Sequence, residues 1–132
     1  MNFLDHTIIH FEIPANYVEK IKTFYTSLFG WKIEKVPGGM EYYVITTVPV
    51  DEKGNLLRPG VNGGLYKKDQ PQQQPVNYIY VESVDEYSKK VESLGGKIVV
   101  PKTEVQGMGW FALAQDPEGN TFGIFEILPT QR

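Results

Sequence analysis

His10-Phe11-Glu12 places an imidazole and a carboxylate two residues apart, and residues i and i+2 of a β-strand project from the same face. On such a strand Glu12 can orient or charge the His10 ring, which makes an acid–base pair that works near neutral pH. His6, the other of the two histidines in this 132-residue chain, falls on the same face. His6, His10 and Glu12 as a metal set would be strung along one strand rather than converging on one ion. There is no cysteine, which removes thiolate zinc sites, cysteine nucleophiles and disulfides together.

The element that carries this pair reads as a half-buried strand over 6–13. There Ile9, Phe11 and Ile13 alternate with Ile8, His10 and Glu12, and Pro14 is expected to end it. Asn16 and Glu19 have capping-box spacing. Ile21, Phe24, Tyr25 and Leu28 recur on one helical face, and Gly30 is placed to stop the helix. Strands follow at 31–36, 41–48 and 62–66, around the turn Pro37-Gly38-Gly39 and a polar loop over 49–60. The segment 69–75 reads as a linker.

Then the order restarts. A strand at 76–81 precedes a second capping-box pair, Ser83 and Glu86. Val84, Tyr87, Val91 and Leu94 predict a second helix, closed by Gly95-Gly96. A strand at 97–100 and a loop through Gly107 lead to a hairpin of strands 110–115 and 121–127 about the turn Asp116-Pro117-Glu118-Gly119-Asn120. The order is β-α-β-β-β twice. Ser27–Ile33 after the first helix echoes Ser93–Ile98 after the second, as an internal duplication would.

Composition bounds the rest. The chain is 41% hydrophobic and 13% aromatic, enough for one compact domain with a core. The expectation is a single domain over 1–132, built of modules 1–68 and 76–132 joined by linker 69–75. A net charge of −3 without a basic patch argues against nucleic acid as a partner. The apolar runs are too short to span a membrane, and no basic-then-apolar leader is visible. A soluble cytoplasmic protein is expected.

A tandem βαβββ chain of the α+β class resembles the vicinal oxygen chelate superfamily, which includes glyoxalase I, bleomycin-resistance proteins, extradiol dioxygenases and methylmalonyl-CoA epimerase. The local wording agrees: His10 on the opening strand, Phe24-Tyr25 and Leu28-Phe29-Gly30-Trp31 at the helix exit, and the Asp116–Asn120 turn. The resemblance implies the glyoxalase/bleomycin resistance fold, a U-shaped mixed sheet with its helices outside and a cleft for a small molecule. It also implies a homodimer. Metal-dependent members carry a His, Glu or Gln ligand on the first and last strands of each half. Those positions fall here on His10, near Gly64, near Val76 or Asn77, and on Gly123; Glu126 is out of step, on the Phe122/Ile124 face. His10 is the one plausible family-position ligand, so neither a metal nor another cofactor is expected.

Glycines at 64 and 123 would widen the cleft where an ion would otherwise sit. Candidates to line it are Tyr43, Gly64, Tyr66, Tyr78, Tyr80, Met108, Trp110, Gly123 and Phe125, with the loop Gln106–Gly109 as a flap. Two functions are in view. One is a protein that binds a small organic ligand in an aromatic-lined cleft without a metal, as in the bleomycin-resistance branch. The other is an enzyme, a lyase or isomerase of the glyoxalase type or a dioxygenase, using catalytic His10 with Glu12 as an acid–base pair or metal ligand.

Overall fold

The computed structural model describes residues 6–129. They form eight strands and two helices in the order β-α-β-β-β, twice, an α+β arrangement. They gather into two compact units, one of residues 10–75 and one of residues 6–9 with 76–129.

In the 10–75 unit, β1 (Ile8–Ala15), α1 (Val18–Phe29), β2 (Lys32–Lys35), β3 (Tyr42–Thr46) and β4 (Gly63–Lys67) follow one another. The strands lie in the order β2-β3-β4-β1, with β1 parallel to β4 and the other pairs antiparallel. Strand alternation divides the residues cleanly. Ile13, Ala15, Ile33, Tyr43, Ile45 and Leu65 pack against Val18, Ile21 and Tyr25 of α1. His10, Glu12, Tyr42, Val44, Gly64 and Tyr66 take the other face, because the register sets Glu12 and Val44 opposite Gly64, and Tyr42 opposite Tyr66. Two expectations need correction. Pro14 lies within β1, opposite Tyr66, a position near a strand end where proline is tolerated. The cap of α1 is Tyr17, not Asn16, and no side chain caps it. Glu19 instead accepts a hydrogen bond from the Tyr43 hydroxyl at 2.9 Å, which ties α1 to β3. Gly30 closes the helix as expected, with φ of 72°.

The other unit contains β5 (Val76–Tyr80), α2 (Val84–Ser93), β6 (Lys97–Val105), β7 (Gly109–Gln115) and β8 (Thr121–Ile127), with strands ordered β5-β8-β7-β6. Val81, Val84, Ala112 and Ile124 form its core, with Tyr87, Trp110 and Phe122 around them. Ser83 Oγ accepts from the Glu86 amide at 3.1 Å, as its capping position predicts. Glu126 Oε1 accepts from the Val84 amide at 3.0 Å, which satisfies another orphan donor of that helix start. The strand β6 runs past Val100 and through Pro101, with register shifts on either side of Val100; an edge strand can accommodate a proline in this way. Residues 6–9 join this unit through the Tyr80 amide, which donates to the Thr7 carbonyl at 2.9 Å. His6 Nε2 lies 3.0 Å from the Tyr87 hydroxyl.

Each unit closes its third-to-fourth strand connection with the same turn. Asp51-Glu52-Lys53-Gly54-Asn55 repeats the Asp-x-x-Gly-Asn spacing of Asp116–Asn120, and both glycines have φ of 86°. Asp51 accepts from the amides of Lys53 and Asn55, both at 2.9 Å, and Asp116 from those of Glu118 and Asn120, at 2.9 and 3.0 Å. The longer first connection has a second anchor. Asn62 Oδ1 accepts from the amides of Thr47 and Val48 at 2.6 and 2.9 Å, and Asn62 Nδ2 donates to the Val48 carbonyl at 3.0 Å.

Hydrogen bonds from the Asn55 backbone and from the Asn120 side chain, respectively, lead the effects that hold the Asp51 and Asp116 carboxyls below the ordinary aspartate value. Stability from such groups is present at neutral pH and is lost as pH falls through the lowered value. Asp116→Ala should therefore lower the melting temperature at pH 7, and its gap to the parent should narrow as pH falls below the ordinary aspartate range. Asn62→Ala strands three backbone groups and should cost about 2 kcal/mol in urea denaturation.

Candidate functional site

The Tyr42 hydroxyl stands between His10 and Glu12. It donates to Glu12 Oε2 at 2.8 Å and lies 2.9 Å from His10 Nε2; His10 Nε2 and Glu12 Oε2 are themselves 3.7 Å apart. A phenol has one proton. With that proton directed to Glu12, the imidazole meets the Tyr42 oxygen as an Nε2–H donor. The order of donation is therefore His10 to Tyr42 to Glu12. β1 supplies the first and last members at i and i+2, and β3 supplies the middle one. The His10 and Glu12 side chains remain 34% and 19% exposed. Tyr66 joins the same face from β4, its phenol raised above the ordinary value by burial and then by the negative charges of Glu12 and Asp69.

Gly64 makes this arrangement sterically possible. A Cβ at that position would overlap the Tyr42 hydroxyl and ring. Gly123 is similar: a Cβ there would overlap the Tyr78 ring, whose Cα lies opposite it. The expectation that these glycines widen a cleft is thus corrected, since tyrosine rings fill the space their absent side chains leave. These positions also bear on a metal. Two of the four family ligand positions fall on glycine, and among the described residues no group of three or more His, Cys, Asp or Glu converges. His10 and Glu12 bridged by a phenol do not fit a divalent ion held from four strands.

The remaining candidates separate by face. Tyr43 lies opposite the His10 face. It is buried in the helix-side core and lines a hollow of about 700 Å³ beside Tyr17, Glu19, Lys20 and Lys67. Tyr78, Tyr80, Gly123 and Phe125 do share one face of their unit by register, with Tyr78 and Tyr80 buried. Trp110 lies on the other face, in the core beneath α2, with Lys102 Nζ 5.2 Å from its ring centre. Met108 is exposed in a tight turn whose ends are fixed by the Met108 amide on the Val105 carbonyl and the Leu128 amide on the Met108 carbonyl, both 2.9 Å. That turn replaces the expected flap. Glu126 is held at the start of α2, off the Gly123 face as its spacing implies.

Two residues escaped the sequence reading. Tyr42 completes the hydrogen-bonded set, and Phe111 lies edge-on to Tyr78, with ring centres 6.1 Å apart. The alternation of β3 holds a signal for Tyr42: if Tyr43 faces the helix, Tyr42 must face His10.

Gly64→Ala should displace Tyr42, because the obstructing atoms are the end of a side chain that can swing away. The expected result is a folded protein with melting temperature nearly unchanged, whose NMR spectrum no longer shows nuclear Overhauser effects between the Tyr42 and His10 rings.

Comparison with known proteins fits this geometry. The family model for the Glyoxalase/Bleomycin resistance protein/Dioxygenase superfamily matches residues 7–124. A Mycobacterium bovis protein, CFP32, whose name places it among the glyoxylases, is 31% identical over 111 residues, covering 80% of this chain and 40% of its own. The anthracycline biosynthesis protein DnrV of Streptomyces peucetius is 28% identical over 131 residues, covering 87% of this chain and 45% of its own. The chain thus spans less than half the length of these relatives. Among solved structures, methylmalonyl-CoA epimerase of Streptomyces coelicolor superposes with a TM-score of 0.66 at 10% identity, over 94% of this chain and 96% of its own, a likeness of fold. With the βαβββ order present twice and the family match running from residue 7 to residue 124, the chain belongs to the Glyoxalase/Bleomycin resistance protein/Dioxygenase superfamily.

Proposed function

We propose that this chain binds a small organic ligand, without a metal, on the sheet face of the 10–75 unit where His10, Tyr42 and Glu12 meet. The carrying observation is the half-buried His10–Tyr42–Glu12 hydrogen-bonded set, with the Tyr66 ring on the same face. A few fixed polar groups among aromatic surfaces are what a small-molecule seat requires: rings supply area, and polar groups supply orientation. Membership of the superfamily supports the same reading, as does a relative named for anthracycline biosynthesis, anthracyclines being small organic molecules. The metal-free part rests on the donor set, in which Gly64 and Gly123 offer no side chain at the matching positions.

The same contacts favour a second reading, proton transfer by a lyase or isomerase of the glyoxalase type. Tyr42 can pass its proton to Glu12 while taking one from His10, so the phenol would link the two groups as a relay.

The first test is elemental analysis after incubation with Ni²⁺, Zn²⁺, Fe²⁺ and Mn²⁺; a stoichiometric ion retained through dialysis would refute the metal-free reading. A fragment titration followed by amide NMR should shift His10, Glu12, Tyr42 and Tyr66, and the seat is wrongly placed if bound fragments leave all four unmoved. Tyr42→Phe removes the hydroxyl that fixes the Glu12 carboxylate and should weaken a bound fragment about tenfold. If a substrate is found, loss of turnover in His10→Gln with affinity retained would select the relay.

A further inference from the structure

We infer that the ligand of this face is a cation, an ammonium group carried on an apolar or aromatic body, and not an organic acid or phosphate. The inference rests on the ligand seat proposed above and narrows its occupant.

The charge balance of the face carries it. β1 contributes His10 and Glu12, β3 contributes Tyr42 and Val44, and β4 contributes Gly64 and Tyr66. Among the described residues of these strands, β2 alone places a lysine here, Lys32, and its Nζ lies 3.6 Å from Glu34 Oε1 on the same face. Two further lysines of the unit, Lys22 and Lys67, are held on the opposite side. Lys22 Nζ lies over the Tyr43 ring, 5.7 Å from its centre, and Lys67 Nζ donates to the Asn16 carbonyl at 2.7 Å. A carboxylate or phosphate approaching Glu12 would therefore meet a like charge, with the His10 ring 3.7 Å away and no further strand lysine to offset it, a penalty that grows as the groups desolvate.

An ammonium meets the reverse situation. Glu12 already acts as an acceptor, from the Tyr42 hydroxyl, and a carboxylate offers several acceptor sites on its two oxygens. The faces of Tyr42 and Tyr66 attract a cation through their ring quadrupoles. Burial leads the effects that raise the Tyr66 phenol, and the negative charges of Glu12 and Asp69 add to it. Tyr42 thereby has two tasks: its hydroxyl fixes the carboxylate, and its ring offers a surface for the ligand body.

The test uses three probes of similar size: 2-phenylethylamine, 3-phenylpropanoate and the uncharged 3-phenylpropanol. Each is titrated into the whole chain at mildly alkaline pH and followed by amide NMR at Glu12, Tyr42 and Tyr66. The amine should bind at least about tenfold more tightly than the acid, with the alcohol between them. Glu12→Gln should bring amine and acid to within about twofold of each other while the alcohol changes little. Binding of the acid as tightly as the amine, or a preference that survives Glu12→Gln, overturns the charge assignment and leaves the seat standing. Failure of all three to shift these residues removes the seat and this inference with it. The parent ratio is decisive alone should Glu12→Gln not fold.

Discussion

A hydroxyl stands where a side chain is missing, and the chemistry of the 10–75 unit depends on that substitution. Gly64 has no Cβ, so the phenol of Tyr42 can lie across β4 and reach β1. Each participant depends on the others. Without the glycine the ring is displaced; without the ring, the phenol bridge between His10 and Glu12 is gone. The space that a side chain at position 64 would take is thus filled by the Tyr42 phenol and its hydrogen bonds. Together the three side chains can donate, accept and relay protons. Gly123 and Tyr78 repeat the steric half of the arrangement in the other unit. There the ring is buried, and the residue that matches His10 in register, two before the one facing the glycine, is Val76. The two halves share a backbone device but not its polar chemistry.

The duplication itself is clearer in turns than in strands. Strands of one unit are identified by alternation, which many sequences satisfy. The Asp-x-x-Gly-Asn turn is more demanding, because the glycine must adopt a positive φ and the aspartate must reach two amides at once. Finding it twice, with both glycines at φ of 86° and in the same connection of each unit, is difficult to obtain by chance. The second copy sits directly between β7 and β8. The first is embedded in a longer excursion whose base Asn62 holds together, with a lone bridge between Val50 and Leu56.

Most of the architecture was legible because it is written locally. The alternation of Ile9, Phe11 and Ile13 with His10 and Glu12, the stop at Gly30 and the Ser83 cap each need only a few consecutive residues. The family wording at Phe24-Tyr25 and Asp116–Asn120 then supplied the order of the whole. The features missed are those that depend on distant residues. A one-residue slip reverses every face of a strand, and it is the pairing of β3 with β4 that makes Tyr42 the site residue and sends Tyr43 to the helix. That pairing is set across the 47–62 excursion, where no local pattern announces it. Asn16 failed as a cap for a related reason: Glu19, its expected partner, is held by Tyr43 from another strand. The strand expected over 97–100 runs on to Val105 through Pro101, and only the sheet order reveals that β6 is an edge that can take a proline.

Residues 6–9 pack with the later unit, and this has a consequence for synthesis. His6 and the Tyr87 it meets are 81 positions apart. At roughly 5–20 residues per second, the ribosome releases the partner several seconds after the opening segment has emerged. The 10–75 segment can assemble its own strands in that interval, but the start of β1 must wait. The later unit is thus completed only by returning to residues 6–9, and entropy makes so distant a closure slow relative to the adjacent β7–β8 hairpin. Residues 6–9 therefore find their native partners only after the 76–129 segment has been made, so a change in this short segment would act on the folding of the later unit.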